Sequence, residues 1–220
     1  CFKQFFDRNI DVRMLDIPRS KLDYKLLIVP GVAVMDPVTA QKIRDYVNGG
    51  GTVIMTSYSA MVDTTNQVFS GTRPGLLDDV FGIRLGSYEE IETMNEISRI
   101  SYKGKQVRIN YSGKDIECES PRFDIIDQKG AQILGNITSL DKDYPIMTSN
   151  KFGKGTAIYI GLPARNEVLS PLLDNLITEL SIQNGPDVPE GVMARQIDST
   201  HVLYLNISNE LKVINLKGNS

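Results

Sequence analysis

The sequence predicts an α/β domain built on a parallel sheet, and three consecutive segments carry that expectation. Residues 24–29 form a continuous apolar run closed by Pro30-Gly31, Asp36-Pro37 opens an amphipathic stretch that ends in three glycines, and residues 52–56 form a second, β-branched apolar run. Short apolar runs bounded by turn residues read as strands buried on both faces, and a helix between two of them makes a unit long enough for a right-handed crossover.

The elements follow in order. Phe2, Phe5 and Phe6 at helical spacing read as the middle of an amphipathic helix, so the chain, which opens on Cys1, looks cut from something longer. A lipid anchor on Cys1 is disfavoured because an apolar helical face follows at once, where a polar tether would be expected. Residues 11–15 alternate briefly. Asp36 is placed to cap the next helix with Pro37 in its first turn, and Ala40, Ile43, Tyr46 and Val47 mark its inner face up to Gly49-Gly50-Gly51.

Residues 57–75 show little periodicity, and a loop of that length in a compact domain reads as functional or as an interface. Leu76, Leu77, Val80 and Phe81 suggest a short helix stopped by Gly82. From about 84 to 140 the style changes to short segments (97–102, 106–111, 114–118) joined by turns, which read as an antiparallel hairpin insertion. Two strands, 144–148 and 156–160, flank Phe152-Gly153-Lys154-Gly155. A helix over 166–182 carries seven aliphatic residues on one face, which is expected to pack on the sheet. A Gly/Pro linker at 184–189 then leads to a small all-β unit, giving domains at 1–185 and 189–220.

Composition excludes several classes. Hydrophobic residues make up 41% of the 220 and charged residues 23%, and no apolar run approaches the roughly 18 residues a spanning helix needs. No membrane span is expected. Twenty-four basic against 27 acidic side chains, with no basic cluster, make nucleic acid a poor partner. One histidine, His201, excludes sites that need two imidazoles, and Cys1 and Cys118 have no metal-ligand spacing. No catalytic residue, metal site or cofactor is therefore assigned.

No individual motif reverses that expectation. Gly49-Gly50-Gly51 follows a helix and precedes a strand, the wrong end for a phosphate, and Gly153-Lys154-Gly155-Thr156 lacks the rest of a phosphate loop and reads as a tight hairpin. Ser57 and Ser59 stand where a nucleophile elbow would be, but the flanking glycines are missing and His201 lies beyond the linker, where it reads as a strand histidine. Asn-Glu pairs at 95–96, 166–167 and 209–210 could mimic a glycosidase acid, yet Asn166 reads as a helix cap with Glu167 favoured by the helix dipole. Glu89, Glu90 and Glu92 read as a solvated strand face, and Cys118 as a buried small apolar residue. The sequons at Asn110, Asn136 and Asn206 matter only in a glycosylating pathway.

The order Tyr24-Lys25-Leu26-Leu27-Ile28-Val29-Pro30, Tyr46-Val47-Asn48-Gly49-Gly50-Gly51-Thr52-Val53-Ile54, Val62-Asp63, Arg73-Pro74-Gly75-Leu76-Leu77 and Phe81-Gly82-Ile83 resembles the trimerisation domain of the family 42 glycoside hydrolases, the bacterial β-galactosidases. Lys151-Phe152-Gly153-Lys154-Gly155 and Pro189-Glu190-Gly191-Val192 continue that order, so the resemblance covers nearly the whole chain. It implies a flavodoxin-like, glutamine-amidotransferase-like fold without the amidotransferase nucleophile, then the family's C-terminal β domain. It also implies a non-catalytic part of a soluble bacterial enzyme, cytoplasmic or periplasmic, that forms homotrimers and whose catalytic barrel lies upstream. The family domain opens with a strand and a full first helix, and this sequence enters inside that helix, which puts one sheet edge in question.

A sheet with a crevice but no reactive groups reads best as a surface for another protein, and Tyr58, Met61, Val62 and Phe69 in the long loop are its candidate contacts. Two other readings remain. One is a sugar-binding or regulatory module stacking ligands on Tyr58, Tyr88, Tyr102 and Tyr111, and the other is a divergent hydrolase using Ser57 or Ser59.

Overall fold

The computed structural model describes residues 2–69, 73–90, 105–139, 142–198 and 200–215. The segments expected at 97–102 and at Glu92 and Asn95-Glu96 lie outside them. The described chain divides into two compact units, one of residues 16–169 and one joining residues 1–15 to residues 170–220.

The larger unit is mostly β. Strands β1 (Leu26–Val29), β2 (Thr52–Thr56) and β9 (Gly155–Ile160) pair in parallel. The same sheet then continues antiparallel through β8 (Lys142–Phe152), β7 (Gln132–Ser139), β4 (Lys105–Tyr111) and β5 (Lys114–Ser120), in the order β1-β2-β9-β8-β7-β4-β5. A separate two-stranded ribbon joins β3 (Ile83–Glu90) to β6 (Arg122–Gln128).

This overturns the flavodoxin-like, glutamine-amidotransferase-like expectation. Such a fold alternates parallel strands with helices on both faces, whereas only one helix, α2 (Pro37–Asn48), connects neighbouring parallel strands among the described residues. The physical reason lies at β8. Its residues 147–152 pair antiparallel with β9 while β9 pairs parallel with β2, so the hairpins expected as an insertion at 84–140 include three strands of the main sheet. Local patterning reveals the β4–β5 hairpin but not which edge it joins.

Burial follows this order. β2, flanked on both sides, is buried at every position, and Val53, Ile54 and Met55 are fully enclosed. β1 is the edge strand and alternates between half-buried and buried, so its continuous apolar run is covered on one face only. Pro145 sits in β8 beyond the part paired with β9, where the absence of an amide hydrogen costs no bond on that side.

Helix α2 forms as its capping residues dictate. Asp36 Oδ1 accepts the amides of Val38 and Thr39 at 2.9 and 3.0 Å, and Ala40, Ile43, Tyr46 and Val47 are its buried face. The Thr39 hydroxyl and these amides hold the Asp36 carboxyl below its usual range. Asp36→Ala is expected to cost about 1 kcal/mol near neutral pH. Because the folded pKa is depressed, that contribution is complete above the unfolded value near 3.8 and fades as pH falls through the folded value, so wild type and variant should converge in acid denaturation curves. The short helix α3 (Asp78–Phe81) ends at Gly82 in a left-handed cap, the stop the sequence marks.

In the smaller unit, α1 (Phe2–Phe6) and the part of α4 (Asn166–Glu179) from Ser170 onward are joined by Arg8. Its Nη2 donates to Ser170 Oγ at 2.7 Å and Asp174 Oδ1 at 2.6 Å. The expected cap is displaced by one residue: the first α4 hydrogen bond runs from Leu169 N to Arg165 O, and Asn166 is already helical. Strands β10 (Val192–Gln196) and β11 (Val202–Asn206) form a two-stranded ribbon, held by Asn9, whose Oδ1 accepts the Ala194 amide at 3.1 Å.

Candidate functional site

The side chains the sequence offers as reactive are largely engaged in structure. Ser59, just past β2, accepts the Val32 amide and donates to Val29 O, both at 3.1 Å, so its hydroxyl fastens one loop to another. Ser57 is fully buried with its hydroxyl unpartnered, while its amide bonds Ile160 O and Leu162 O at 2.8 and 3.1 Å. Neither arrangement presents a nucleophile to solvent.

His201, read from sequence as a strand residue, lies in the turn before β11 and is exposed. Its Nδ1 meets Asp198 Oδ1 at 2.8 Å. The amide of Thr200, with the His201 ring and the Thr200 hydroxyl, holds the Asp198 carboxyl at about 2. Cys118 is buried in β5, and burial pushes its thiol up to about 11, far from a reactive thiolate.

The glycine motifs also have structural partners. Gly153-Lys154 is the two-residue turn between β8 and β9, and the Lys154 amide donates to Asn48 O at the end of α2. Gly51 leaves room for the Tyr46 ring, whose hydroxyl donates to Thr52 O at 3.0 Å.

Three side chains the sequence reading did not single out form the polar centre of the larger unit. Arg122 and Asp124 on β6 are 7% and 3% exposed, and Arg122 Nη2 meets Asp124 Oδ1 at 2.6 Å. Tyr159 on β9 donates its phenol to the other carboxylate oxygen at 2.7 Å and meets Phe81 edge-on. Burial first, and then the Asp124 charge, raise the Tyr159 phenol far above its usual value, so it stays a donor. One signal was available: Arg122-Phe123-Asp124 places two opposite charges at i and i+2, on one face of a strand and directly ahead of Ile125-Ile126.

This centre bears on the long loop. The Arg122 guanidinium lies 4.4 Å above the Tyr58 ring, and Tyr58 and Ala60 take left-handed backbone angles of +67° and +51°. From there the loop weaves beside the segment that follows β1. Ala60 N bonds Val32 O, Met61 N bonds Ala33 O, Met35 N bonds Val62 O, and Phe69 N returns to Met61 O.

The structure therefore brings the four candidate contacts into one woven loop, all of them half-buried but against different neighbours. Tyr58 is half-buried under Arg122, Met61 and Val62 are half-buried in the weave, and Phe69 lies so close to Gly75 that a Cβ there would meet its ring at 1.9 Å. The stacking-face alternative loses two of its tyrosines, since Tyr58 already carries Arg122 and Tyr111 is buried. The Tyr88 side chain and Tyr102 lie outside what is described.

Comparison with known proteins follows the same outline. The chain is 29% identical over 223 residues to the β-galactosidase Pbg of Clostridium perfringens, covering 98% of this chain and 32% of that protein. It is 30% identical over 223 residues to the β-galactosidase BgaA of Planococcus sp. strain SOS Orange, covering 99% and 32%. It thus spans about a third of the length of these relatives.

Among solved structures, a GH42 β-galactosidase from G. stearothermophilus superposes with a TM-score of 0.82 at 23% identity, over 95% of this chain and 30% of that one. The β-galactosidase of Bacillus circulans sp. alkalophilus gives 0.81 at 24%, over 93% and 30%. These two establish the mostly-β fold. Residues 1–183 match the β-galactosidase trimerisation domain, and by that match the chain belongs to the trimerisation domain family of the family 42 glycoside hydrolases.

Proposed function

We propose that this chain is the self-association part of a bacterial β-galactosidase-like glycoside hydrolase, assembling it as a homotrimer. In this reading sugar chemistry belongs to a catalytic barrel elsewhere in the protein, upstream of residue 1. The observation that carries it is the match of residues 1–183 to a trimerisation domain. Two further facts support it: the chain spans about a third of its relatives, and Ser59, His201 and the glycine turns are occupied in holding local structure. Domains at 1–185 and 189–220 belong to the same reading, as does a soluble protein of the cytoplasm or periplasm.

The contact surface in this reading is the woven loop with Tyr58, Met61, Val62 and Phe69. Sedimentation velocity of the 220-residue chain is expected to give three times the monomer mass of 24.5 kDa. Met61→Asp with Phe69→Asp should shift it to monomers with unaltered far-ultraviolet circular dichroism. A mass unmoved by the pair would remove these residues from the contact.

A further inference from the structure

The loop that follows β2 builds an apolar row its sequence does not display. Val34 bridges Val62 in parallel, and Val62 bridges Val68 in antiparallel sense, so three β-branched side chains from three chain segments stand side by side. The outer two are exposed, Val34 at 45% and Val68 at 62%, and Val32 beside them is 39% exposed. Isolated exposed valines are ordinary, but a cross-strand row of them is a patch with a direction.

The two chain segments that carry it hold little charge. Residues 31–35 and 57–69 contain one ionisable carboxylate, Asp63, and its Oδ1 is held inside its own turn by the Thr65 and Gln67 amides at 2.7 and 3.0 Å and by the Thr65 hydroxyl. Asp36, next along, is occupied by the cap of α2. Depletion of free charge around a small apolar centre is the signature of an interface core rather than of a solvated loop.

A second exposed apolar row exists on β11, where Leu203 and Leu205 are 44% and 40% exposed and Ile207 follows at 59%. It falls outside residues 1–183, whereas the valine row lies inside the part matched to a trimerisation domain. The two rows are thereby distinguished as candidates for self-association.

We propose that the Val34–Val62–Val68 row is a contact between copies of this chain, seated against a neighbouring protomer. This placement rests on the self-association reading above and sharpens it. It moves the centre of the contact from Phe69, which is spent on Gly75, to Val34 and Val68, which are exposed and whose replacement leaves the core untouched. In a closed three-fold ring every copy presents the same row, so one substitution acts at all three contacts.

The test is sedimentation of the 220-residue chain across a dilution series, comparing wild type with Val34→Lys/Val68→Lys. The concentration at which the trimer dissociates should rise at least about a hundredfold, with unchanged circular dichroism. If the lysine pair fails to fold, Val34→Thr/Val68→Thr, nearly isosteric, should still raise it about tenfold. A wild-type trimer unmoved by these variants, or one dissociated by Leu203→Lys/Leu205→Lys instead, overturns the placement while leaving self-association intact. A wild-type chain that is monomeric throughout overturns both.

Discussion

Asp124→Ala is expected to lower the unfolding free energy by about 3–5 kcal/mol, the cost of removing one partner of a buried ion pair. Asp124 is 3% exposed and does two jobs at once: one oxygen meets Arg122 Nη2 at 2.6 Å and the other accepts the Tyr159 phenol at 2.7 Å. Removing the carboxylate takes the 2.6 Å ion pair from a guanidinium 7% exposed and the acceptor from a fully buried phenol. Replacing both charged partners should hurt less than replacing one, because no net charge is then buried. Arg122→Met/Asp124→Leu is therefore expected to be more stable than Asp124→Ala. Urea denaturation followed by circular dichroism gives both numbers. A single-variant loss under about 1 kcal/mol would put the pair in the range of solvated surface ion pairs and refute its buried role.

The same cluster shows what the sequence could and could not disclose. Asp36 with Pro37, the Gly82 stop and the Gly153-Lys154 turn are local devices whose physics is complete within a few residues, and each stands where the sequence places it. The continuation of a parallel sheet into an antiparallel one is not local. β8 and β9 close a tight hairpin at Gly153-Lys154, but β9 must also lie parallel beside β2, far earlier in the chain, and nothing in the sequence of either strand marks that pairing. The strands β6 and β7, and β3 apart from its Glu89-Glu90 end, do not show in the sequence for a related reason. Gly86 and Gly135 interrupt the alternation of β3 and β7, where the register also shifts, and the charged Arg122 and Asp124 disguise β6 as surface. At the candidate site the loop was legible as a long aperiodic segment. Its valine row was not, since Val34 and Val68 become neighbours only through two single bridges.

Gly155→Ala is expected to cost about 3 kcal/mol, at the upper end of what overpacking a filled site produces. The reason is steric: Gly155 does not hold a left-handed backbone, but a Cβ there would lie 2.2 Å from Val47 O and 2.3 Å from Gly51 O. Both are backbone atoms, one in the last turn of α2 and one just before β2, so neither can swing aside as a side chain would. The Thr156 amide donates to Gly51 O and the Lys154 amide to Asn48 O, at 3.1 Å each, so accommodating one methyl group must lengthen these bonds. The hairpin would be pushed off the helix end, and with it β9, whose pairing with β2 carries the chain into the woven loop. Gly86→Ala is the matched comparison, since a Cβ there meets nothing within 4 Å, and it should lie within about 0.5 kcal/mol of wild type. Equal denaturation midpoints for the two variants would show that the turn stands clear of α2 in solution. A large loss confined to Gly155→Ala would show that the segment resembling a phosphate loop is glycine-rich because two backbones meet there.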